Sequence, residues 1–327
     1  DYNFRNALPP FEKEPALAGK QVARGLIPTV PPTPLLRNVT DGELYLNADH
    51  GRDFLAGSSV THQSQCRDGT HVIFSDLRVV TQQDGLTIPY TVAVCTYRTG
   101  YAGQLWVQSG WSGTLARDGQ SWNLTVIDNL DGRIDGQDRL HVTDLDASPK
   151  AAYHDVPVPG LLSLAGHTYR LDFAFRPAEP NVILEAVVTE TQPPRGELQV
   201  EASGCHSLDL QDDRHLLLLA SPQGRISVPA GNYRVSNCVL RSQGQSLQFV
   251  GCDRVVSVPA GQTGTFRVGL PLSNTVTATR DRNLLHLTYQ HVGAGGETYR
   301  LGGLNRLPSF RIYQGPLRLA GGAFGHG

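Results

Sequence analysis

Short stretches in which apolar and polar residues alternate recur along the whole chain. They include residues 71–79, 168–173, 182–189 and 284–289. Side chains two residues apart share one face of a strand, so each stretch predicts a strand with one buried face. Turn residues separate these stretches, and we find no segment with the apolar spacing of an amphipathic helix. The pattern predicts an all-β protein, built as a sandwich or a barrel.

The length of 327 residues and the placement of proline predict an N-terminal arm and two domains. Seven prolines fall in the first 40 residues, at positions 9, 10, 15, 28, 31, 32 and 34, and leave no room for a regular element between 28 and 34. Residues 1–40 are therefore expected to be an extended arm. A first β-domain is expected over residues 41–192, and a second, immunoglobulin-like domain over 196–327.

Composition excludes some classes of partner and indicates a compartment. The formal net charge is −2, which provides no basic surface for a nucleic acid. No apolar window reaches the length of a membrane-spanning helix. The chain starts at Asp1 and contains no methionine, so we expect an extracellular or cell-surface protein from which a signal peptide has been removed.

The five cysteines are typical of an oxidising compartment. Cys66 and Cys95 flank a strand-rich stretch, and Cys238 and Cys252 flank a hairpin, so two local disulfides are predicted. Cys205 then remains free, or competes with Cys238 for Cys252.

The acidic segment, residues 128–138, resembles a calcium-binding loop shortened by one residue. With Gly132 at the sixth position, Ile127 occupies the first and cannot bind a cation, so Asp128 would take its place through a different backbone path. The candidate calcium ligands are Asp128, Asn129, Asp131, Asp135 and Asp138. The alternative is an acidic Asx turn whose side chains bind their own backbone.

Sequence signatures of enzymes are missing. The chain lacks G-x-S-x-G, H-E-x-x-H and the phosphate-binding G-x-x-x-x-G-K-[ST]. The glycines at 293, 295 and 296 lack the third glycine and the strand-to-helix context of a dinucleotide site, and predict a loop. We therefore expect no catalytic residues. A secreted carbohydrate-active enzyme stays an alternative, because its two carboxylates can lie far apart in sequence.

The first eight residues have the pattern of a strand that inserts into another protein. Tyr2, Phe4 and Leu8 would share one apolar face. This organisation resembles donor-strand-exchange subunits of bacterial pili and extracellular fibrils. That resemblance implies a homopolymer with helical symmetry, in which the N-terminal strand completes an immunoglobulin-like domain of a neighbouring subunit.

The body of the chain also resembles secreted bacterial immunoglobulin-like β-sandwich proteins. The resemblance lies in the acidic Asp-Gly-Arg loop, the Ser-Val-Pro-Ala-Gly corners at 227–231 and 257–261, and the alternating pattern over 310–324. The predicted function is a structural subunit of an extracellular fibre. The alternative is a cell-surface binding or adhesion module with a calcium-stiffened loop.

Overall fold

The computed structural model describes residues 21–47, 59–61, 64–65, 71–97, 103–146, 153–242, 245–282, 284–301 and 309–324. Over these ranges the regular secondary structure consists of strands, with no helix, which confirms the all-β prediction. The described residues accordingly offer no helical segment of the length and hydropathy needed to span a bilayer.

The strands are numbered in chain order. The first half of the chain contains β1 (Val22–Ile27), β2 (Thr33–Asn38), β3 (Glu43–Leu46), β4 (Ser59–Thr61), β5 (Ser64–Gln65), β6 (His71–Gln83), β7 (Leu86–Tyr97), β8 (Gly103–Val107), β9 (Trp111–Arg117), β10 (Gln120–Ile127), β11 (Arg139–Asp144) and β12 (Tyr153–Pro157). The second half contains β13 (Leu161–Leu164), β14 (His167–Ala178), β15 (Asn181–Thr191), β16 (Arg195–Ser203), β17 (Cys205–Gln211), β18 (His215–Ala220), β19 (Gly224–Pro229), β20 (Gly231–Ser242), β21 (Gln245–Gly251), β22 (Val255–Val258), β23 (Thr263–Gly269), β24 (Ser273–Asp281), β25 (Leu284–Val292), β26 (Thr298–Leu301), β27 (Ser309–Gln314) and β28 (Leu317–Ala323).

Tight two-residue turns join several neighbouring strands. Asp84 and Gly85 connect β6 to β7 with φ values of 51° and 79°. Asp118 and Gly119 connect β9 to β10 with φ values of 48° and 78°. Positive φ at both positions matches the right-handed twist of the flanking strands, and Asp-Gly adopts it at low cost. These turns therefore fix the register of both hairpins.

The chain divides into two compact units. The first comprises residues 1–158 and 172–187, and the second comprises residues 159–171 and 188–327. The first unit contains the sheets β1-β2-β3-β4, β5-β6-β7-β8 and β12-β11-β10-β9. Its core gathers side chains from β1, β2, β3, β6 and β7, together with Leu130 from the acidic segment. The domain boundaries expected from the sequence stay a prediction.

Two sheets of the second unit share one core. In the smaller sheet β16 pairs antiparallel with β19 and parallel with β23. Its buried Val200 and Phe266 belong to the same cluster as Leu210 and Tyr233, which lie in the sheet containing β17 and β20. Two sheets joined by one core are the arrangement of a β-sandwich.

Residues 21–40 differ from the expected extended arm. β1 and β2 pair antiparallel, from Val22 opposite Asn38 to Ile27 opposite Thr33. Leu35 and Leu36 of β2 are fully buried. Pro28, Pro31 and Pro32 lie in the loop between β1 and β2, where no hydrogen bond of the sheet is lost. These prolines therefore form the loop of a hairpin. Residues 1–20 lie outside the described ranges.

Candidate functional site

The hairpin β24–β25, here called the ribbon, extends beyond the sheet to which it belongs. Its register runs from Ser273 opposite Val292 to Asp281 opposite Leu284. Among the described residues, β25 pairs with β26 only at His291 and Val292. β24 ends the order of strands in that sheet. Most of the ribbon therefore presents two strand edges, whose amide and carbonyl groups can pair with another strand.

One face of the ribbon is apolar. The register sets Val276 opposite Tyr289 and Ala278 opposite Leu287, and these four side chains share a face. Val276 is 51% exposed and Leu285, on the same face, is also 51% exposed. Threonines dominate the opposite face, where Thr277 pairs with Thr288. The ribbon is thus amphipathic, and its apolar face is left largely open by the described residues.

The C-terminal hairpin β27–β28 contacts one end of this apolar face. The ring of Phe324 lies 5.2 Å from that of Tyr289 and 5.1 Å from that of Phe310, measured between centroids. Leu317 and Leu319 of the same hairpin are 62% and 54% exposed. The C-terminal region therefore adds exposed apolar side chains to those of the ribbon.

The acidic segment is closed by its own backbone. Oδ1 of Asp128 accepts hydrogen bonds from the amides of Leu130 at 2.6 Å and Asp131 at 3.1 Å. The carboxylate of Asp138 accepts from the amides of Asn129 at 2.7 Å and Asp135 at 2.6 Å. These contacts are the Asx-turn arrangement, with Asp138 tying the two ends of the segment together.

The side-chain oxygens of the other predicted calcium ligands also accept backbone amides. Asn129 Oδ1 accepts from the Asp131 amide, and Oδ1 of Asp131 and of Asp135 accept from the amides two residues ahead. Among the described residues, no group of three or more His, Cys, Asp or Glu side chains is placed to hold a metal ion. The contacts with backbone amides favour the alternative Asx-turn interpretation, and the calcium-loop interpretation stays a prediction.

Burial perturbs the ionisable groups of this segment. Asp128 and Asp138 are 0% and 1% exposed. Burial raises the pKa of Asp138 to about 6, and repulsion from Asp128 and Asp131 also raises it. The hydrogen bonds from the two amides lower the pKa and oppose this shift. Burial also raises the pKa of Asp128, while the hydrogen bond from Tyr90 opposes that shift. The segment thus contains two buried carboxyl groups whose charged forms are disfavoured by burial.

A buried polar cluster in the second unit was not predicted from the sequence. Glu297 is fully buried, and its carboxylate accepts from the amides of Gly269 at 2.5 Å and Gly295 at 2.9 Å. The hydroxyl of Tyr299 lies 3.1 Å from Glu297 Oε1 and 3.3 Å from Cys238 Sγ. The segment 293–297 therefore wraps a buried carboxylate. The glycines of this segment are the sequence feature that could have indicated the cluster, because a side chain at Gly293 or Gly295 would overlap Glu297.

The cysteines are arranged differently from the predicted pairs. Cys238 and Cys252 are not bonded to each other, and Cys252 is a half-buried thiol. Sγ of Cys238 instead lies 3.6 Å from Sγ of Cys205, and both residues are buried. Cys252 follows the end of β21 at Gly251, whereas Cys238 lies within β20 and belongs to the same buried cluster as Cys205.

Several predicted residues lie outside the described ranges. They are the donor-strand residues Tyr2, Phe4 and Leu8, and Cys66 of the predicted Cys66–Cys95 disulfide. Cys95 itself is buried in β7. The donor strand and the Cys66–Cys95 disulfide stay predictions.

Comparison with protein-family models, curated proteins and solved structures gave no match to this chain. The resemblance to fibre subunits therefore depends on sequence organisation alone. Of the features above, the ribbon combines open strand edges with exposed apolar side chains among the described residues.

Proposed function

We propose that the chain is a non-catalytic structural subunit that assembles with copies of itself into an extracellular fibre by strand addition. The observation that carries the proposal is the ribbon, with its two strand edges and an apolar face that includes Val276 at 51% exposure. Uncovered edges of this kind pair readily with another extended segment. A partner strand that covers such an edge pairs its free amide and carbonyl groups and stabilises the protein.

The proposed occupant is the N-terminal strand of a second copy. Tyr2, Phe4 and Leu8 alternate with polar residues, so a strand added beside β24 would extend the apolar face of the ribbon. Burial of these three side chains would contribute on the order of 5–8 kcal/mol. Because the donor and the acceptor are different surfaces of one chain, repeated addition gives a filament rather than a closed dimer.

A tyrosine in the second unit supports the immunoglobulin-like character of the proposed acceptor. Tyr233 is fully buried, and its hydroxyl donates a 2.6 Å hydrogen bond to the carbonyl of Pro229. A tyrosine that bonds the backbone a few residues upstream is a feature of immunoglobulin-like sandwiches. Pro229 belongs to the first Ser-Val-Pro-Ala-Gly repeat, at the end of β19, and Tyr233 lies in β20.

Negative-stain electron microscopy with light scattering tests the proposal. We expect fibres from the full chain, and none after deletion of residues 1–8 or in Phe4→Asp. Asn3→Asp is the matched control, because it adds the same charge on the opposite face of the donor strand. Polymerisation of the truncated chain, or a full chain that stays monomeric at every concentration, would overturn the donor-strand proposal.

The second candidate function is a binding or adhesion module, which a cleft in the first unit favours. Its volume is about 580 Å³, and it is lined by Trp106, Arg139, His141 and Asp155 among others. Trp106 is 44% exposed, and Asp155 Oδ1 accepts from Arg139 Nε at 2.8 Å. An exposed aromatic ring beside fixed polar groups suits a small polar ligand. Dispersed monomers whose tryptophan fluorescence changes with oligosaccharides, but not in Trp106→Ala, would favour this function.

A further inference from the structure

Two buried cysteines face each other across a pair of neighbouring strands. β17 and β20 run antiparallel, with Leu208 opposite Cys238 and Cys205 opposite Leu240. Sγ of Cys205 lies 3.6 Å from Sγ of Cys238. A disulfide needs the sulfurs at about 2.05 Å, so they must approach by roughly 1.5 Å. A movement of this size is within the reach of side-chain rotation on strands that are already paired.

The backbone between these strands explains why the two sulfurs meet. The register shifts between Cys205 and Ser207, so that two steps along β17 face one step along β20. Such a bulge redirects side chains near it. It brings Cys205 onto the buried side next to Cys238, although the two residues are not directly opposite.

We propose that Cys205 and Cys238 form a disulfide that cross-links β17 and β20 within one sheet of the second unit, while Cys252 stays a thiol. The reaction consumes a small-molecule disulfide such as oxidised glutathione. One protein thiolate attacks that disulfide and releases one reduced thiol; the second protein sulfur then displaces the other. Two S–H bonds and the S–S bond of the oxidant are lost, one protein S–S bond forms, and two small-molecule thiols take up both protons.

The site's surroundings set when the bond forms. Cys205 is 9% exposed and Cys238 is 0% exposed, so an oxidant has little access to either sulfur once the unit has folded. The hydrogen bond with Cys238, together with burial, raises the pKa of the Cys205 thiol, which disfavours the reactive thiolate. The bond is therefore expected to form during folding. The inference does not depend on the proposed assembly.

Tryptic mapping of the full chain distinguishes the three sulfurs. Arginines at 195, 214, 234, 241 and 254 place Cys205 in peptide 196–214, Cys238 in 235–241 and Cys252 in 242–254. The chain is refolded with reduced and oxidised glutathione, its remaining thiols are alkylated, and the digest is analysed by mass spectrometry before and after reduction. We expect 196–214 linked to 235–241, with 242–254 alkylated, in material that migrates as a monomer without reductant.

Other results would overturn the proposal. These are a link between 235–241 and 242–254, a link between 196–214 and 242–254, both expected peptides alkylated and separate, or the expected link confined to a dimer. Cys252→Ala is the matched control and should retain the same link. Its loss in that variant would also contradict the assignment.

Discussion

The hydroxyl of Tyr90 donates a 2.6 Å hydrogen bond to Oδ2 of Asp128, and the two residues are 1% and 0% exposed. Oδ1 of the same carboxylate accepts amides of the acidic segment. Tyr90 therefore joins β7 in the core to the loop that follows β10. Leu130, fully buried beside them, adds an apolar anchor to this polar one.

Removing the Tyr90 hydroxyl should destabilise the first unit. Tyr90→Phe leaves Oδ2 of Asp128 buried without its donor, which should cost about 1–3 kcal/mol of unfolding free energy, as measured by urea denaturation. Tyr313→Phe is the control, because Tyr313 is 53% exposed. Equal effects of the two variants would contradict a special role for the Tyr90–Asp128 bond.

The acidic segment should make stability depend on pH. The pKa of Asp138 is about 6 in the folded chain, above the value of about 3.9 for an unfolded Asp. Between these values the folded state binds more protons, so the free energy of unfolding falls as pH rises through that window. Relative to Asp138→Asn, the free energy of unfolding of wild type should fall by roughly 3 kcal/mol between about pH 3.5 and about pH 7.

The matched control for this pH dependence is Asp118→Asn, since the Asp118 side chain is 67% exposed and Asn also tolerates positive φ. Its stability difference from wild type should stay nearly constant over the same range. A flat difference for Asp138→Asn, measured by urea denaturation at several pH values, would argue against a buried, proton-binding Asp138.

Calcium should have little effect on thermal stability. The carboxylates of Asp128 and Asp138 already accept backbone amides, and a cation would have to replace those bonds. We expect the melting temperature to be the same in millimolar calcium and in chelator. An increase with calcium, which mass action would produce on binding, would support the calcium-loop interpretation instead.

A charge on the apolar face of the ribbon should prevent assembly without unfolding the chain. Val276→Asp places a carboxylate where an added strand would bury it, whereas Thr277→Asp places the same charge on the opposite face. Because Val276 is 51% exposed, neither change should alter the melting temperature much. Fibre formation by light scattering should be lost in Val276→Asp and kept in Thr277→Asp. If the two variants behaved identically, the apolar face of the ribbon would not be the surface on which assembly depends.

The glycines around Glu297 should tolerate no side chain. A Cβ at Gly295 would overlap the carbonyl of Arg267 and crowd the Glu297 carboxylate. Gly295→Ala should therefore cost at least about 2 kcal/mol in urea denaturation. Gly113 in β9 has open space around its Cα, so Gly113→Ala is the control and should be nearly neutral. A neutral Gly295→Ala would contradict the packing of this loop.

The sequence predicts those parts of the fold that depend on local pattern. The alternation at 71–79 predicts β6, and Asp-Gly at 84–85 matches the tight turn after it. The local pattern does not predict which distant strands pair. The contact between the sulfurs of Cys205 and Cys238 depends on a bulge in β17, and no turn residue in the sequence indicates that bulge.

The candidate site was less predictable for the same reason. Residue types at 128–138 are equally compatible with ligands for a cation and with caps for backbone amides, and only the path of the chain decides between them. Glu297 follows four small residues and reads as part of an exposed loop, yet it is fully buried. The exposure of the ribbon depends on how few residues of β25 reach β26, which alternation alone does not show.

The short junction at His291 and Val292 also has a consequence for hydrogen exchange. Beyond that junction the described amides of the ribbon are protected only by pairing between β24 and β25, and an isolated two-stranded hairpin is marginally stable in water. Its amides should thus take up deuterium through local opening, far faster than those of β17 and β20, which exchange only when the sandwich opens. A neighbouring strand along β24 would close that route. Deuterium uptake over residues 273–292 would then report, residue by residue, whether a subunit has been captured.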